Sequence, residues 1–272
     1  MAIYDDIQRD HYNKVANDSQ SSSASTMPDF VIRETESNSI IKSISEWVKL
    51  NNISEEDLSI ADLGCGNGTT LSILSSNFPK AQITGIEYNK KLYGISSSRD
   101  YLNKNVTVYN GDLREKGSLA TEKFDIVLTQ RVIINIMDRS DQSKALKNIL
   151  SLLKSGGLYI AIEAFEEGLK LINSSREELG LEHIKMPHHN LHLKDEFFES
   201  ESSLSRVDLG TPIYFLSTHY YLSYVLYPAI ASANGAEFNR NNYFVPFMTK
   251  LLPNKGEFGA NRFYIFLKIK DS

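Results

Sequence analysis

The stretch IADLGCGNGTTLSIL, residues 60–74, decides the fold of this chain. Apolar residues lead into Asp62, glycines follow at positions 64, 66 and 68, and an apolar helical pattern begins at about Thr69. Glycines permit a tight turn from a strand into a helix and let a ligand approach the backbone closely. We therefore predict a buried strand, a ligand-binding turn and a helix, although a purely structural glycine-rich turn is the alternative.

Short apolar runs with helical sequence between them continue through the middle of the chain. Such runs are typical of buried parallel strands joined by right-handed helical crossovers. They predict an α/β fold with a doubly wound, mostly parallel sheet. The runs are LSIADLG, AQITGIE, VTVYNGD, FDIVLTQ and LYIAIEAF, with a last strand, RFYIFLKI, at residues 262–269.

Composition and charge exclude several classes of protein. The 272 residues include 29 Lys and Arg against 34 Asp and Glu, a formal net charge of −5, which argues against a dedicated nucleic-acid binder. The single cysteine, Cys65, excludes an intramolecular disulfide framework and fits a reducing compartment. The polar start, MAIYDDIQRDHYNK, does not resemble an export signal, and no run of about 18 apolar residues occurs. We predict a cytoplasmic protein without a membrane partner.

Acidic residues end three successive predicted strands. The third glycine comes one residue too early for a dinucleotide fingerprint, and Asp62 would repel a pyrophosphate but attract an ammonium group. Glu87 stands where such sheets place an acid that binds a ribose diol, and Asp112 could read an adenine amino group. An exposed strand-end carboxylate and an Asx turn are the respective alternatives. The expected ligand carries a positive amino group.

These motifs, in this order, resemble those of class I S-adenosylmethionine-dependent methyltransferases. The similar segments are IADLGCGNG, GIEYN, NGDLRE, FDIVLTQRVIINI and LKSGGLYIAIEAF, within residues 57–165. The resemblance implies a Rossmann-like, seven-stranded sheet with an antiparallel final strand and S-adenosylmethionine as cofactor. QRVIINI, ELGLE, PHHN and STHYYLSYVLY further resemble bacterial enzymes that methylate small molecules or sugar-linked groups.

The resemblance also implies a domain organisation. We predict a single methyltransferase domain with a cofactor-binding core at 57–165. Residues 1–50 would form a helical lid containing a flexible Ser-rich segment, DSQSSSAST, at 18–26. The polar segment 166–200 is too long for an ordinary connection and is predicted to be a substrate insertion. Residues 201–272 would supply a C-terminal helix and strands.

The cofactor site follows from the resemblance residue by residue. It places Asp62 and the glycine loop at the methionine end, Glu87 on the ribose and Asp112 near adenine. Arg33 could pair with the cofactor carboxylate from the N-terminal helices, where Tyr12 and Met27 are further candidate contacts; a solvated helix charge is the alternative for Arg33. The predicted cofactor-binding residues are Arg33, Asp62, Gly64, Cys65, Gly66, Gly68, Glu87, Tyr88, Asp112, Leu113, Gln130 and Arg131.

The acceptor site is predicted on the polar insertion. Methyl transfer from a sulfonium is an in-line displacement, and a hydroxyl acceptor needs a base, for which an imidazole is suited. We predict His189 as the catalytic base and Glu163 as a second catalytic residue that, with Asn190, orients the acceptor; ordinary loop histidines are the alternative. No metal is predicted, because His188 and His192 lack an acidic ligand nearby. The predicted substrate-binding residues are Asn135, Arg176, His188 and Asn190.

The predicted reaction is methyl transfer to an oxygen, or as a second choice a nitrogen, of a small polar metabolite or sugar derivative. A nucleic-acid or protein methyltransferase is one alternative, although the polar-Pro-Pro-aromatic stretch of base-modifying enzymes is absent after the fourth strand. A nicotinamide-dependent oxidoreductase and a non-catalytic cofactor-binding module are the others. We expect a small-molecule partner and no nucleic acid, and a homodimer is one option for an otherwise open oligomeric state.

Overall fold

The computed structural model describes residues 2–19, 27–118, 122–239 and 242–269. Most of the predicted Ser-rich segment, at 20–26, lies outside these ranges, so its flexibility stays a prediction. Within the described ranges, one sheet contains seven strands: β1 (Ser59–Leu63), β2 (Gln82–Glu87), β3 (Val106–Asn110), β4 (Phe124–Gln130), β5 (Leu153–Ala164), β6 (Leu204–Arg206) and β7 (Asn261–Lys268).

The strand order across the sheet is β3–β2–β1–β4–β5–β7–β6. Strands β1 to β5 pair in parallel, and β7 lies antiparallel between β5 and β6. The predicted doubly wound, mostly parallel seven-stranded sheet with an antiparallel final strand is therefore confirmed. The three-residue β6 is absent from the sequence prediction, because an alternating pattern needs a longer run to be visible.

Helices flank the sheet on both faces. They are α1 (Ala2–Ser19), α2 (Phe30–Asn51), α3 (Thr69–Asn77), α4 (Lys90–Ser97), α5 (Arg139–Ser151), α6 (Glu166–Glu178), α7 (Ser217–Tyr221), α8 (Tyr227–Ala233) and α9 (Phe244–Leu251), with a π-helical turn at Leu222–Leu226. The predicted N-terminal helices are present. Helix α2 begins at Phe30, because the Asp29 carboxylate caps it by accepting the backbone N–H groups of Val31 and Ile32.

The apolar core lies on both faces of the buried strands. In β4, Ile126 packs in one cluster with Ile44 of α2, while the adjacent Val127 packs in the other cluster with Ile149 of α5. Successive side chains of a strand point to opposite faces, so a strand covered on both sides is apolar throughout. This explains why these strands read as continuous apolar runs in the sequence.

The turn after β1 fixes where the carboxyl ends of the strands meet. Gly64, Gly66 and Gly68 have φ angles of 75°, 57° and 83°, in the left-handed region that favours glycine. A Cβ atom on Gly64 would lie 2.5 Å from a methyl group of Val132, which follows β4. The glycine turn can therefore pack directly against the segment after β4.

Segment 166–200, the predicted substrate insertion, contains α6 and then returns to the sheet. There Leu193 donates its backbone N–H to the Ala164 carbonyl at 2.8 Å. The division of the chain into lid, core, insertion and C-terminal part stays a prediction. No helix in the described part of the chain is long and apolar enough to cross a membrane.

Candidate active site

A cavity of about 530 Å³ lies at the carboxyl ends of β1, β2 and β4. The glycine turn, helices α1 and α2, the segment after β4 and residues 189–190 line it. It brings together most of the residues predicted for the site. Those lining it are Arg33, Asp62, Gly64, Cys65, Gly66, Glu87, Tyr88, Asp112, Leu113, Gln130, Arg131, Asn135, His189 and Asn190.

Asp62 lies at the end of β1 with a side chain that is 2% exposed. Its Oδ2 atom has no hydrogen-bond partner among the described residues. Burial, together with the nearby charge of Glu87, raises the pKa of Asp62 to about 7. An unpartnered buried carboxylate oxygen is costly, and an ammonium group would offset that cost. Asp62 is therefore suited to bind a ligand's positive amino group.

Glu87 joins the end of β2 to the glycine turn. Its carboxylate oxygens accept the backbone N–H groups of Gly66 at 2.8 Å and Asn89 at 2.7 Å. Burial nevertheless raises the pKa of Glu87 to about 7. Each carboxylate oxygen has a further lone pair that can accept a hydrogen bond. Glu87 can thus position the turn and still bind a ribose diol.

An ionic network occupies the part of the cavity where the sequence predicts an adenine contact. Arg114 donates from Nη2 to the Asp112 carboxylate at 2.6 Å and from Nη1 to Asp5 of α1 at 2.6 Å. Its guanidinium also lies 5.4 Å from the centre of the Tyr88 ring. Neither Arg114 nor Asp5 is among the site residues predicted from the sequence. Because Arg114 bridges two carboxylates, it ties α1 to the cofactor side of the cavity.

Two arginines and one carboxylate lie where α2 meets the end of β4. Arg131 forms an ion pair with Glu36, whose side chain is 2% exposed, and Arg33 donates from Nη2 to the Met27 carbonyl at 3.2 Å. Burial and the nearby charge of Arg131 lower the pKa of Arg33. Both guanidinium groups line the cavity, and a guanidinium group can form a bidentate contact with a carboxylate. Glu36 of α2 therefore pairs with Arg131, which directly follows β4.

Gln130 and Asn135 are held by short hydrogen bonds. The Gln130 Oε1 atom accepts from the Thr70 hydroxyl at 2.6 Å, across the start of α3. The Asn135 amide donates to the Arg131 carbonyl at 2.7 Å. Arg131 itself has a φ angle of 56°, which is uncommon for a residue with a side chain. These contacts hold the segment after β4 in a tight turn beside the cavity.

The predicted base, His189, lies under a histidine of α1. The rings of His11 and His189 stack with their centroids 3.6 Å apart, and His188 packs edge-on against His189 at 5.2 Å. Burial, with the nearby charges of His11 and His188, lowers the pKa of His189 to about 4. The imidazole is therefore neutral at physiological pH. Its Nδ1 atom and the Asn190 Oδ1 atom are buried without a partner in the described ranges.

Glu163 is not brought into the cavity. It is fully buried on β5, and its carboxylate accepts the backbone N–H groups of Val132 at 3.1 Å and Ile133 at 3.2 Å, with Ile134 at 3.3 Å. An acceptor substrate in the cavity cannot reach this carboxylate. The residue instead holds the segment after β4, and the direct orienting contact expected from the sequence is corrected to a supporting one.

Arg176, His188 and Gly68 also do not line the cavity. Arg176 donates to the carbonyl oxygens of Glu182 and Tyr224, so it joins α6 to the following loop and to the π-helical turn instead of facing a substrate. Among the residues that the structure describes, no group of three or more His, Cys, Asp or Glu is placed to hold a metal ion. Burial raises the pKa of the Cys65 thiol, which therefore stays protonated.

Helix α1 supplies further residues to the site besides Tyr12, which the sequence predicts as a candidate contact. Asp5, Gln8, His11 and Val15 lie at helical spacing with Tyr12 and line the cavity with it. The spacing was a usable signal, because positions three and four apart share one face of a helix. It was missed because this face is mostly polar, and a helix is usually oriented by its apolar stripe.

The comparisons with known proteins agree with this geometry. Residues 54–203, more than half of the chain, match a family model described as a methyltransferase domain. The chain belongs to this methyltransferase family. The predicted S-adenosylmethionine-dependent methyltransferase and its cofactor, S-adenosylmethionine, are thereby confirmed at the level of the family. The buried unpartnered oxygen of Asp62 fits the cofactor's amino group, and the guanidinium groups of Arg33 and Arg131 in the cavity wall fit its carboxylate.

Several individual proteins are similar to the chain. The malonyl-[acyl-carrier protein] O-methyltransferase of Bacillus anthracis is 27% identical over 127 residues, which is 45% of each protein's length. The plantazolicin methyltransferase BpumL, solved with SAH, gives a TM-score of 0.55 at 13% identity over 97% of this chain and 96% of that one. The magnesium protoporphyrin IX methyltransferase of Synechocystis PCC 6803 gives 0.54 at 15% identity over 95% and 93%. The two structural likenesses show the fold alone.

Proposed function

We propose that the protein transfers the methyl group of S-adenosylmethionine to an oxygen, or as a second choice a nitrogen, of a small polar metabolite or sugar derivative. The observation that carries this proposal is the extent of the cavity. One space reaches from the acidic strand ends at Asp62 and Glu87 to His189 and Asn190 under α1. Its volume of about 530 Å³ is typical of sites for small molecules.

The cofactor half of the proposal rests on charge complementarity. Asp62 would bind the amino group, Arg33 and Arg131 the carboxylate, and Glu87 the ribose hydroxyl groups. Tyr88, Asp112 and Leu113 line the same side of the cavity and would surround the adenine. When bound, the cofactor supplies an electrophilic methyl group on a positively charged sulfur atom.

The acceptor half rests on the neutral imidazole of His189. A base with an unprotonated ring nitrogen can take the proton of a hydroxyl group as its oxygen is methylated. Asn135 and Asn190 would orient the acceptor, since an in-line displacement depends on alignment of the reacting atoms. Helix α1 covers this end through the stack of His11 on His189, which would help to exclude water. The similarity to an O-methyltransferase of Bacillus anthracis supports oxygen as the acceptor atom.

The decisive experiment compares binding and turnover in wild type and Asp62→Asn. We expect wild type to bind S-adenosylhomocysteine in calorimetry and the variant to bind it at least about tenfold more weakly, because one charge-assisted contact is lost. The exposed Asp57 supplies a matched control, Asp57→Asn, which should bind like wild type. Equal binding by all three proteins would contradict the proposed cofactor site. Transfer of labelled methyl groups to polyols and amino sugars then tests the acceptor.

A further inference from the structure

A second unpartnered polar group lies on the α1 side of the cavity. Gln8 is 8% exposed, and its Nε2 atom donates to the backbone carbonyl of His189. Because Nε2 makes this hydrogen bond, the Oε1 atom is the amide atom that can accept another one. Oε1 is buried and has no hydrogen-bond partner among the described residues. Gln8 lines the cavity, so this unpartnered acceptor belongs to a residue of the cavity wall.

Two more unpartnered atoms lie on the neighbouring segment. The Asn190 Oδ1 atom and the His189 Nδ1 atom are buried and lack partners in the described part of the chain. Gln8, His189 and Asn190 all line the same cavity. Leaving a buried acceptor unsatisfied is costly, so such groups are normally paired with a bound group or an ordered water. Two amide oxygens and a ring nitrogen on residues that line one cavity indicate a place for hydrogen-bond donors.

Helix α1 is held against the core by contacts besides the hydrogen bond from Gln8 to His189. Asp5 pairs with Arg114 at 2.6 Å, and the Asn89 amide donates to Asn13 at 3.1 Å, so α1 is tied to the core on both sides of Gln8.

We propose that Gln8 and Asn190 form a donor-selective subsite that binds a hydroxyl or amino group of the acceptor substrate. This inference rests on the proposed function, because it concerns the acceptor end of the same cavity. It restricts the substrate class to polyols, sugars and amino sugars that present O–H or N–H groups beside His189. Substrates that present only carboxylate or phosphate oxygens at this position are excluded, because acceptor would face acceptor.

The first test uses the full chain saturated with S-adenosylhomocysteine and measures binding of small probes by calorimetry. D-Glucose and D-glucosamine offer hydroxyl and amino donors, whereas succinate and inorganic phosphate offer mainly acceptors at neutral pH. We expect one or both sugars to bind and the two anions not to bind. Preference for glucosamine over glucose would identify an amino group as the bound donor. Binding of the anions, or no binding by either sugar, would overturn the inference.

Variants connect the preference to the two amides. Gln8→Leu and Asn190→Leu should each weaken sugar binding by about tenfold, since a hydrogen bond to a buried group is lost. Asn190→Asp keeps the acceptor and adds a negative charge, so it should bind glucosamine at least as well as wild type. Arg9→Ala, at an exposed position of the same helix, is the matched control. Unchanged sugar binding by both leucine variants would overturn the inference.

Binding of S-adenosylhomocysteine is measured separately, so that failure of this inference can be told from failure of the proposed function. Every variant should bind S-adenosylhomocysteine with unchanged affinity, which also shows that it is folded. Failure of wild type to bind S-adenosylhomocysteine would contradict the proposed function itself. A crystal structure of the complex gives an independent result: we expect a water or sugar hydroxyl within hydrogen-bond distance of both amide oxygens. If protein groups pair with both oxygens instead, the subsite does not exist.

Discussion

His11 and His189 stack with their ring centroids 3.6 Å apart and their planes 16° from parallel. His11 belongs to α1, and His189 belongs to the segment between α6 and β6. Gln8, one turn before His11, reinforces the contact by donating to the His189 carbonyl. The N-terminal helix therefore covers the cavity at the end where the acceptor is proposed to bind.

A double-mutant cycle should show that this stack couples the two segments. We expect His11→Ala and His189→Ala to have non-additive effects on the free energy of unfolding, with a coupling of about 0.5–1.5 kcal/mol. Urea denaturation of the two single variants and the double variant measures it. Arg9→Ala combined with His189→Ala is the control and should be additive. Additivity in both pairs would mean that the rings do not interact in solution.

Cofactor binding should strengthen as pH rises. The folded-state pKa values of Asp62 and Glu87 are both raised to about 7 by burial, so each carboxyl is largely protonated near pH 6. An ammonium group binds the ionised form, so S-adenosylhomocysteine should release protons on binding. We expect its dissociation constant to fall by about tenfold between about pH 6 and about pH 8. Calorimetry in buffers of different ionisation enthalpy measures both effects.

Asp62→Asn isolates the contribution of one carboxyl. Without a titrating group at position 62, the dissociation constant should depend less steeply on pH. The remaining pH dependence would then come from Glu87. Asp57→Asn should reproduce the wild-type curve, because Asp57 is exposed. A wild-type dissociation constant that does not change over this pH range would contradict the proposed proton linkage.

Glu163→Gln should destabilise the protein more than its conservative chemistry suggests. The carboxylate accepts the N–H groups of Val132, Ile133 and Ile134, and an amide would direct its own N–H₂ group at one of them. We expect a loss of about 2 kcal/mol in the free energy of unfolding, measured by urea denaturation. Glu167→Gln, at an exposed position of α6, should cost almost nothing. Lost methyl transfer with unchanged stability would instead indicate direct contact with the acceptor.

The buried His192 should contribute a loss of stability in mild acid, opposite in sign to the contributions of Asp62 and Glu87. Burial and the nearby charge of Arg139 lower its pKa from 6.5 to about 4, and the side chain is 5% exposed. The unfolded chain binds a proton near pH 6.5 and the folded chain does not, so stability is lost as pH falls from about 6.5 to about 4. We expect His192 to contribute about 3 kcal/mol of destabilisation by about pH 4.

The check is the pH dependence of unfolding in His192→Leu. This variant should lose less stability between neutral pH and about pH 4 than wild type, while the exposed His183→Leu should follow the wild-type curve. His189, whose pKa is also lowered to about 4, adds a slope of the same sign, whereas Asp62 and Glu87, whose pKa values are raised to about 7, add slopes of the opposite sign. Identical curves for all three proteins would show that protonation of His192 does not contribute to the change of stability in acid.

Much of the site could be predicted from the sequence because parallel strands place their carboxyl ends at one edge of a sheet. Asp62 and Glu87 each end a strand, so their proximity follows from the topology alone. Glu163 also lies near the end of its strand, but on β5, which is buried on both faces, its carboxylate is enclosed by backbone N–H groups. The position of a residue along a strand can be inferred from the sequence. The groups that a buried carboxylate such as that of Glu163 will contact cannot.

The sequence by itself determined the order of strands and helices, the glycine turn and the acidic strand ends, because these depend on local periodicity and on backbone freedom at single residues. Only the tertiary structure decided that α1 covers the cavity, that Arg114 bridges Asp5 and Asp112, and that His11 stacks on His189. These contacts join segments far apart in the chain. A polar helix face carries no local signal that specifies its partner, since apolar burial orients a helix and hydrogen bonds then select among the groups it meets.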